Sequence, residues 1–170
     1  MKKFVLALLV SFSFFNVQAQ DIFNAARTNN IAELRTYISK RQNVNQANDK
    51  GFTPLILAIY NNNLEAAQIL LDNGANPNAQ DRSGNNALMG AIFKGYTDMA
   101  KLLIENKADV NQVNYNGATP LIFAATFGQA EVVKLLLNAD ADKDIKDTRG
   151  KTALDHATLQ ENTEIIALLK

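Results

Sequence analysis

The chain contains no cysteine. That single absence removes disulfides, thiolate metal sites and cysteine nucleophiles together. It also means that an oxidising compartment poses no mispairing hazard. Histidine is nearly as scarce, with His156 the only one, and only Ser39 and Ser83 remain as serines beyond the first twenty residues. No glycine loop of the phosphate-binding kind is present. Net charge of either sign is missing too: 17 basic residues face 17 acidic ones. Setting aside Lys2 and Lys3 leaves 15 basic against 17 acidic side chains, a net of −2. A nearly neutral chain without a basic stripe has little pull on phosphate backbones, so nucleic acid is not an expected partner. Hydrophobic residues make up 47% of the 170, enough to bury a substantial core, and the charged fraction of 20% is too low for a disordered polyelectrolyte.

Long apolar runs are also lacking. The longest, Phe4 to Phe15, is broken only by Ser11 and Ser13. Spanning a bilayer needs about 18 residues or more, so this run is too short for a membrane anchor. It follows the positive start Met1-Lys2-Lys3 and precedes Asn16-Val17-Gln18-Ala19, with compact residues at Val17 and Ala19. Charged start, apolar middle and small-residue end are the layout of a secretory signal peptide. Residues 1–19 are therefore read as an export signal, cut between Ala19 and Gln20. The expected location is the periplasm or outside the cell, in a Gram-negative bacterium, with no membrane attachment after cleavage.

What the chain does have is a period. Gly51, Gly84, Gly117 and Gly150 are spaced by 33 residues, as are Gly95 and Gly128. Leu55, Leu88, Leu121 and Leu154 follow the first series by four residues, and Ala58, Ala91, Ala124 and Ala157 follow it by seven. Ile69-Leu70-Leu71, Leu102-Leu103-Ile104 and Leu135-Leu136-Leu137 recur, ending with Leu168-Leu169. Asn45, Asn78, Asn111 and Asp144 share one further register. A fixed period of this length is the signature of a repeat architecture, in which each unit buries its apolar face only against its neighbours.

These residues resemble the ankyrin repeat. Gly51-Phe52-Thr53-Pro54-Leu55 and Gly117-Ala118-Thr119-Pro120-Leu121 match its glycine-any-threonine-proline-leucine opening, and Gly74-Ala75-Asn76-Pro77-Asn78 matches its closing loop. The resemblance implies an all-α solenoid of helix–turn–helix units joined by short β-turn or hairpin loops. The expected division is a degenerate capping unit at 20–47, full units at 48–80, 81–113 and 114–146, and a truncated closing unit at 147–170. Glycine serves the tight turn, threonine caps the first helix, and proline fits its first turn. There are departures. Asn86-Ala87 and Thr152-Ala153 stand in place of threonine-proline, and Lys107 and Asp140 replace the loop glycine. The histidine that often follows the family's leucine is replaced by Ile56, Met89, Ile122 and Asp155, which suggests more reliance on apolar packing between neighbouring loops.

No catalytic set is legible. His156 lies beside Asp155, but adjacent helix residues point in different directions. Asp140, Asp142 and Asp144 alternate like the start of a calcium loop, and Asp147 follows. That motif needs glycine sixth and an acidic residue twelfth, where Ile145 and Lys151 stand. No cofactor or metal is expected. The chain reads as a non-enzymatic, monomeric scaffold or regulator that binds another protein. The resemblance admits either a regulator of an envelope enzyme, such as a stress-related oxidase or peroxidase, or a released effector acting on a foreign protein. A small calcium-binding or hydrolytic protein using the 140–147 loop is the rival from another class.

In the ankyrin family, partners dock on the concave face made by turn tips and first helices. The matching positions here nominate Phe52, Tyr60, Arg82, Phe93, Lys94, Tyr115, Phe127 and Arg149 as partner-binding residues. Five of the eight are aromatic at positions where the repeat requires none, and aromatics with arginine dominate interface hot spots. The alternative is that these rings cover seams between units.

Overall fold

A computed structural model of the chain describes residues 21–170. The export signal and its cut between Ala19 and Gln20 lie outside the described residues. Ten helices follow in pairs: α1 (Ile22–Arg27) and α2 (Ile31–Ser39), α3 (Pro54–Tyr60) and α4 (Leu64–Asp72), α5 (Ala87–Lys94) and α6 (Thr97–Glu105), α7 (Pro120–Thr126) and α8 (Ala130–Asn138), α9 (Ala153–Leu159) and α10 (Thr163–Leu169). Among the described residues there is no strand. The first helix of each pair stacks on the next, α1 on α3, α3 on α5, α5 on α7 and α7 on α9. The second helices form the other layer, with α6 against α8 and α8 against α10.

The repeating residues explain the repeating elements. Thr53, Asn86, Thr119 and Thr152 each accept a hydrogen bond from the backbone N–H three residues on, satisfying a donor that the first turn leaves unpaired. Asn86 therefore does the work of threonine in the third unit, at 2.9 Å from Met89 N. Pro54 and Pro120 sit in the first turn, where no hydrogen bond is lost. In the closing unit, Asp155 returns a bond to Thr152 N, completing a capping box.

Ala58, Ala91, Ala124 and Ala157 are wholly buried, which lets successive first helices approach closely. Leu55, Leu88 and Leu121 are sealed between them. In the second helices Leu70, Leu103 and Leu136 are fully buried, while Leu71, Ile104 and Leu137 are only partly so. The first pair keeps the same logic: Asp21 caps α1, and Ile22, Ala25, Ala26 and Leu34 join the core.

Neighbouring loops are tied by amides rather than by apolar packing alone, which corrects the expectation drawn from the absent histidines. Asn45 Oδ1 accepts from Asn76 N at 2.7 Å, Asn78 Oδ1 from Asp109 N at 2.7 Å, and Asn111 Oδ1 from Asp142 N at 2.8 Å. The short amide reaches one unit onward, so a single residue type at one register makes a ladder along the array.

The turn after each second helix needs a left-handed residue. Gly74 supplies it at φ +83°, whereas Lys107 and Asp140 are held at +62° and +60°. An L side chain in this region costs about 1–2 kcal/mol, less for Asp than for Lys, while glycine carries an entropic cost of about 0.5–1 kcal/mol. Lys107→Gly is expected to raise the unfolding free energy by about 0.5–1 kcal/mol, and Asp140→Gly by less. Urea titration followed by circular dichroism checks the order; a loss of stability in both would overturn it.

Candidate functional site

Four turn tips project at the ends of the first helices, and each is folded around one side chain. Asn48, Asp81, Asn114 and Asp147 recur every 33 residues. Each places Oδ1 on two backbone N–H groups: Lys50 and Phe52, Ser83 and Asn85, Asn116 and Ala118, Arg149 and Lys151. The tips then join to one another. Arg82 N donates to Lys50 O at 3.3 Å, Tyr115 N to Ser83 O at 3.2 Å, and Thr148 N to Asn116 O at 2.9 Å. The tips thus form a continuous rim of fixed backbone beside the first helices.

On the inner face bounded by this rim lies an aromatic ridge. Phe93 is 56% exposed and Phe127 46%, and Tyr115, on a turn tip of the rim, is 71% exposed. The rings of Phe93 and Phe127 meet edge to face at 5.5 Å, and Phe123 meets Phe127 at 6.0 Å. A hollow of about 370 Å³ lies on one side, lined among others by Tyr60, Ser83, Met89 and Phe93. A second, of about 450 Å³, lies on the other, lined by Ile122, Thr126, Thr148, Arg149 and His156. Both share Asn114, Asn116, Phe123 and Phe127.

The second hollow contains a charged cluster. His156 Nε2 lies 3.0 Å from Asp147 Oδ2, and both side chains are more than nine-tenths buried. The Arg149 guanidinium reaches the same oxygen at 3.1 Å from a largely exposed position. Burial pushes the Asp147 carboxyl upward, but hydrogen bonds from Lys151 N, His156, the Arg149 side chain and Arg149 N outweigh it and hold it well below the ordinary carboxylate range. A carboxyl with a depressed folded pKa adds stability above its unfolded pKa and loses it as pH falls through the folded value. Asn48 and Asn114 build the same tip without charge, so Asp147→Asn is expected to keep the fold. The wild type should be more stable than this variant at neutral pH, with the gap closing progressively below about pH 4. Thermal melts of both proteins from pH 7 to 3 measure it; a constant gap would show that the charge contributes nothing.

The family of ankyrin repeats in three copies matches residues 22–114, and that of ankyrin repeats in many copies matches residues 103–157. The chain belongs to the ankyrin-repeat family. No curated protein matches it. Ankyrin repeats mediate binding to other proteins and are generally non-enzymatic scaffolds. Among the described residues no helix is long and apolar enough to cross a membrane.

On this ankyrin array the residues nominated from sequence divide into groups. Phe93 and Phe127 stand open on the inner face, and Tyr115 stands open on a turn tip. Phe52 and Tyr60 are half-buried, pack against the core and touch each other at 5.8 Å. The Tyr60 ring covers Gly90, where an added Cβ would meet it at 3.1 Å. Burial raises the Tyr60 pKa, helped by the Asp81 charge. Arg82 is exposed at its tip. The Lys94 ammonium lies 6.0 Å from the Tyr96 ring centroid, and Arg149 is engaged by Asp147.

Sequence reasoning missed Phe123 and the pairing of His156 with Asp147. Phe123 and His156 share one register position with Leu57 and Gly90, a signal that comparison of the units at that column would have exposed. Asp155, the neighbour first weighed for His156, instead caps α9, and hydrogen bonds from Thr152 lower its pKa. In the 140–147 loop, Asp142 Oδ1 accepts from Asp144 N at 2.8 Å, and its own N–H belongs to the Asn ladder. Among the described residues no group of three or more histidine, aspartate or glutamate side chains is arranged to hold a metal ion.

Proposed function

We propose that this ankyrin array is a monomeric, non-enzymatic regulator that acts in the periplasm or outside the cell and grips another protein with its inner face. The observation that carries the reading is the pair of exposed rings Phe93 and Phe127, in edge contact at 5.5 Å, with Tyr115 exposed on a turn tip. Exposed apolar patches on soluble proteins mark interaction sites, and aromatic anchors commonly dominate their energetics. The location rests on the charged, apolar and small-residue succession of residues 1–19. A partner in the cell's own envelope and a foreign protein both fit this face.

Photo-crosslinking tests the reading. A photoreactive residue at Phe93 or Tyr115 is expected to capture one defined protein in intact cells or in the surrounding medium. The same group at Glu131, exposed on α8 in the other layer, is expected to capture none. Equal capture from both positions, or from neither, would refute binding by the inner face. Fractionation of the same cells, with the mass of the recovered chain, tests export and the cut after Ala19.

A further inference from the structure

We infer that the hollow of about 450 Å³ between α7 and α9 is a specificity pocket for a tyrosine side chain of the bound protein. The inference rests on the scaffold reading above and deepens it. The carboxylate of Asp147 is an acceptor only, already receiving Arg149 N at 2.9 Å, Lys151 N at 3.0 Å and the Arg149 guanidinium. The nitrogen of His156 that faces it, Nε2 at 3.0 Å, must therefore carry the proton. In the neutral imidazole this leaves Nδ1 as an acceptor. No protein group among the described residues donates to Nδ1, and it is not among the polar atoms sealed from solvent without a partner. His156 itself lines the hollow. A side chain more than nine-tenths buried, lining the hollow and held by the carboxylate at Nε2, thus keeps one acceptor without a protein partner among the described residues.

The rest of the lining selects the ligand. Ala118, Ile122, Phe123 and Phe127 give apolar walls suited to an aromatic ring. Arg149 balances the Asp147 charge, so the pocket asks for a neutral group. A carboxylate would set acceptor against acceptor, and a phenylalanine would leave Nδ1 unsatisfied. A phenol supplies both ring and O–H donor. The volume falls within the range of about 300–1,000 Å³ typical of sites for small groups. The hollow also shares Asn114, Asn116, Phe123 and Phe127 with the hollow of about 370 Å³ beyond the ridge. An occupant that fills both must pass over Phe127, as an extended chain does and a free phenol does not.

Calorimetric or NMR titration with the peptide acetyl-Gly-Leu-Gly-Tyr-Gly-amide tests the pocket. It is expected to bind about tenfold more tightly than its phenylalanine counterpart, the effect of one hydrogen bond to a buried acceptor. It should also bind about tenfold more tightly than p-cresol and shift the Phe127 and Thr126 resonances. His156→Leu places the residue of Leu57 at the same register. It is expected to erase the tyrosine preference, with the phenylalanine peptide binding at least as tightly as to the wild type because no acceptor is then left unsatisfied, which also reports that the variant is folded. Equal affinity for the tyrosine and phenylalanine peptides, or a preference that survives His156→Leu, would overturn the inference. So would p-cresol binding as well as the peptide. Capture of a partner at Phe93 without tyrosine preference removes the pocket and keeps the scaffold. A tyrosine-selective pocket without any captured partner keeps the pocket's chemistry and removes the scaffold.

Discussion

Leu88→Ala is expected to lower the unfolding free energy by about 3–5 kcal/mol. Leu88 is 0% exposed in α5, and α5 packs on both α3 and α7. Truncation removes apolar contact with both neighbours and leaves a cavity that rigid helices cannot close. In a stacked array each unit holds only its neighbours, so a central lesion weakens two interfaces together. Against a total stability of about 5–15 kcal/mol, such a loss approaches unfolding. Leu159→Ala provides the contrast, because Leu159 is 68% exposed in α9 and its truncation should change stability by less than about 0.5 kcal/mol. Urea unfolding followed by circular dichroism compares them. The central variant should also unfold less cooperatively, as the two halves separate. Similar losses from both substitutions would show that burial between units is not what stabilises the array.

Gly84→Ala should be nearly as damaging, for a different reason. Gly84 sits at φ +77°, and a Cβ there would lie 2.7 Å from both the backbone nitrogen and Cδ1 of Tyr115. That nitrogen donates to Ser83 O, so the clash falls on the bond joining the second and third tips. Gly150 has nearly the same backbone, φ +73°, but an added Cβ meets nothing within 4 Å. Gly150→Ala therefore carries only the left-handed strain, about 1–2 kcal/mol. Gly84→Ala adds an overpacking cost of about 1–3 kcal/mol and displaces Tyr115 from the rim. Denaturation should rank Gly84→Ala below Gly150→Ala, and only the former should weaken crosslinking at Tyr115. Equal destabilisation would show that strain alone makes glycine necessary, and that the tips are not tightly joined.

The array was legible because its demands recur at short range. Gly51 and Gly84 answer one backbone geometry and Thr53 and Thr119 one unpaired N–H group, each met within a few residues of itself, while Ala58 and Ala91 answer one close approach that recurs with the period. The candidate site was less legible. Phe52 and Phe93 both stand out as aromatics beyond the repeat's needs, yet one packs on the core and the other stands open. That difference depends on what the neighbouring unit presents, as Gly90 does beneath the Tyr60 ring. The Asn45, Asn78 and Asn111 register was visible as a column, but its role as a ladder between loops required knowing which amide faced it.

By itself, then, the sequence determined the period, the helix starts and the residues that fill the seams. Those follow from local sterics, capping and apolar spacing repeated four times. Only the tertiary structure decided which aromatics remain exposed and that Lys94 leans to Tyr96. It also decided that His156 meets Asp147, nine positions away, rather than adjacent Asp155. The physical reason is that side-chain exposure and hydrogen-bond partners are set by the stacking of one unit on the next. A 33-residue period specifies that the units stack, but not what each variable position meets across the seam.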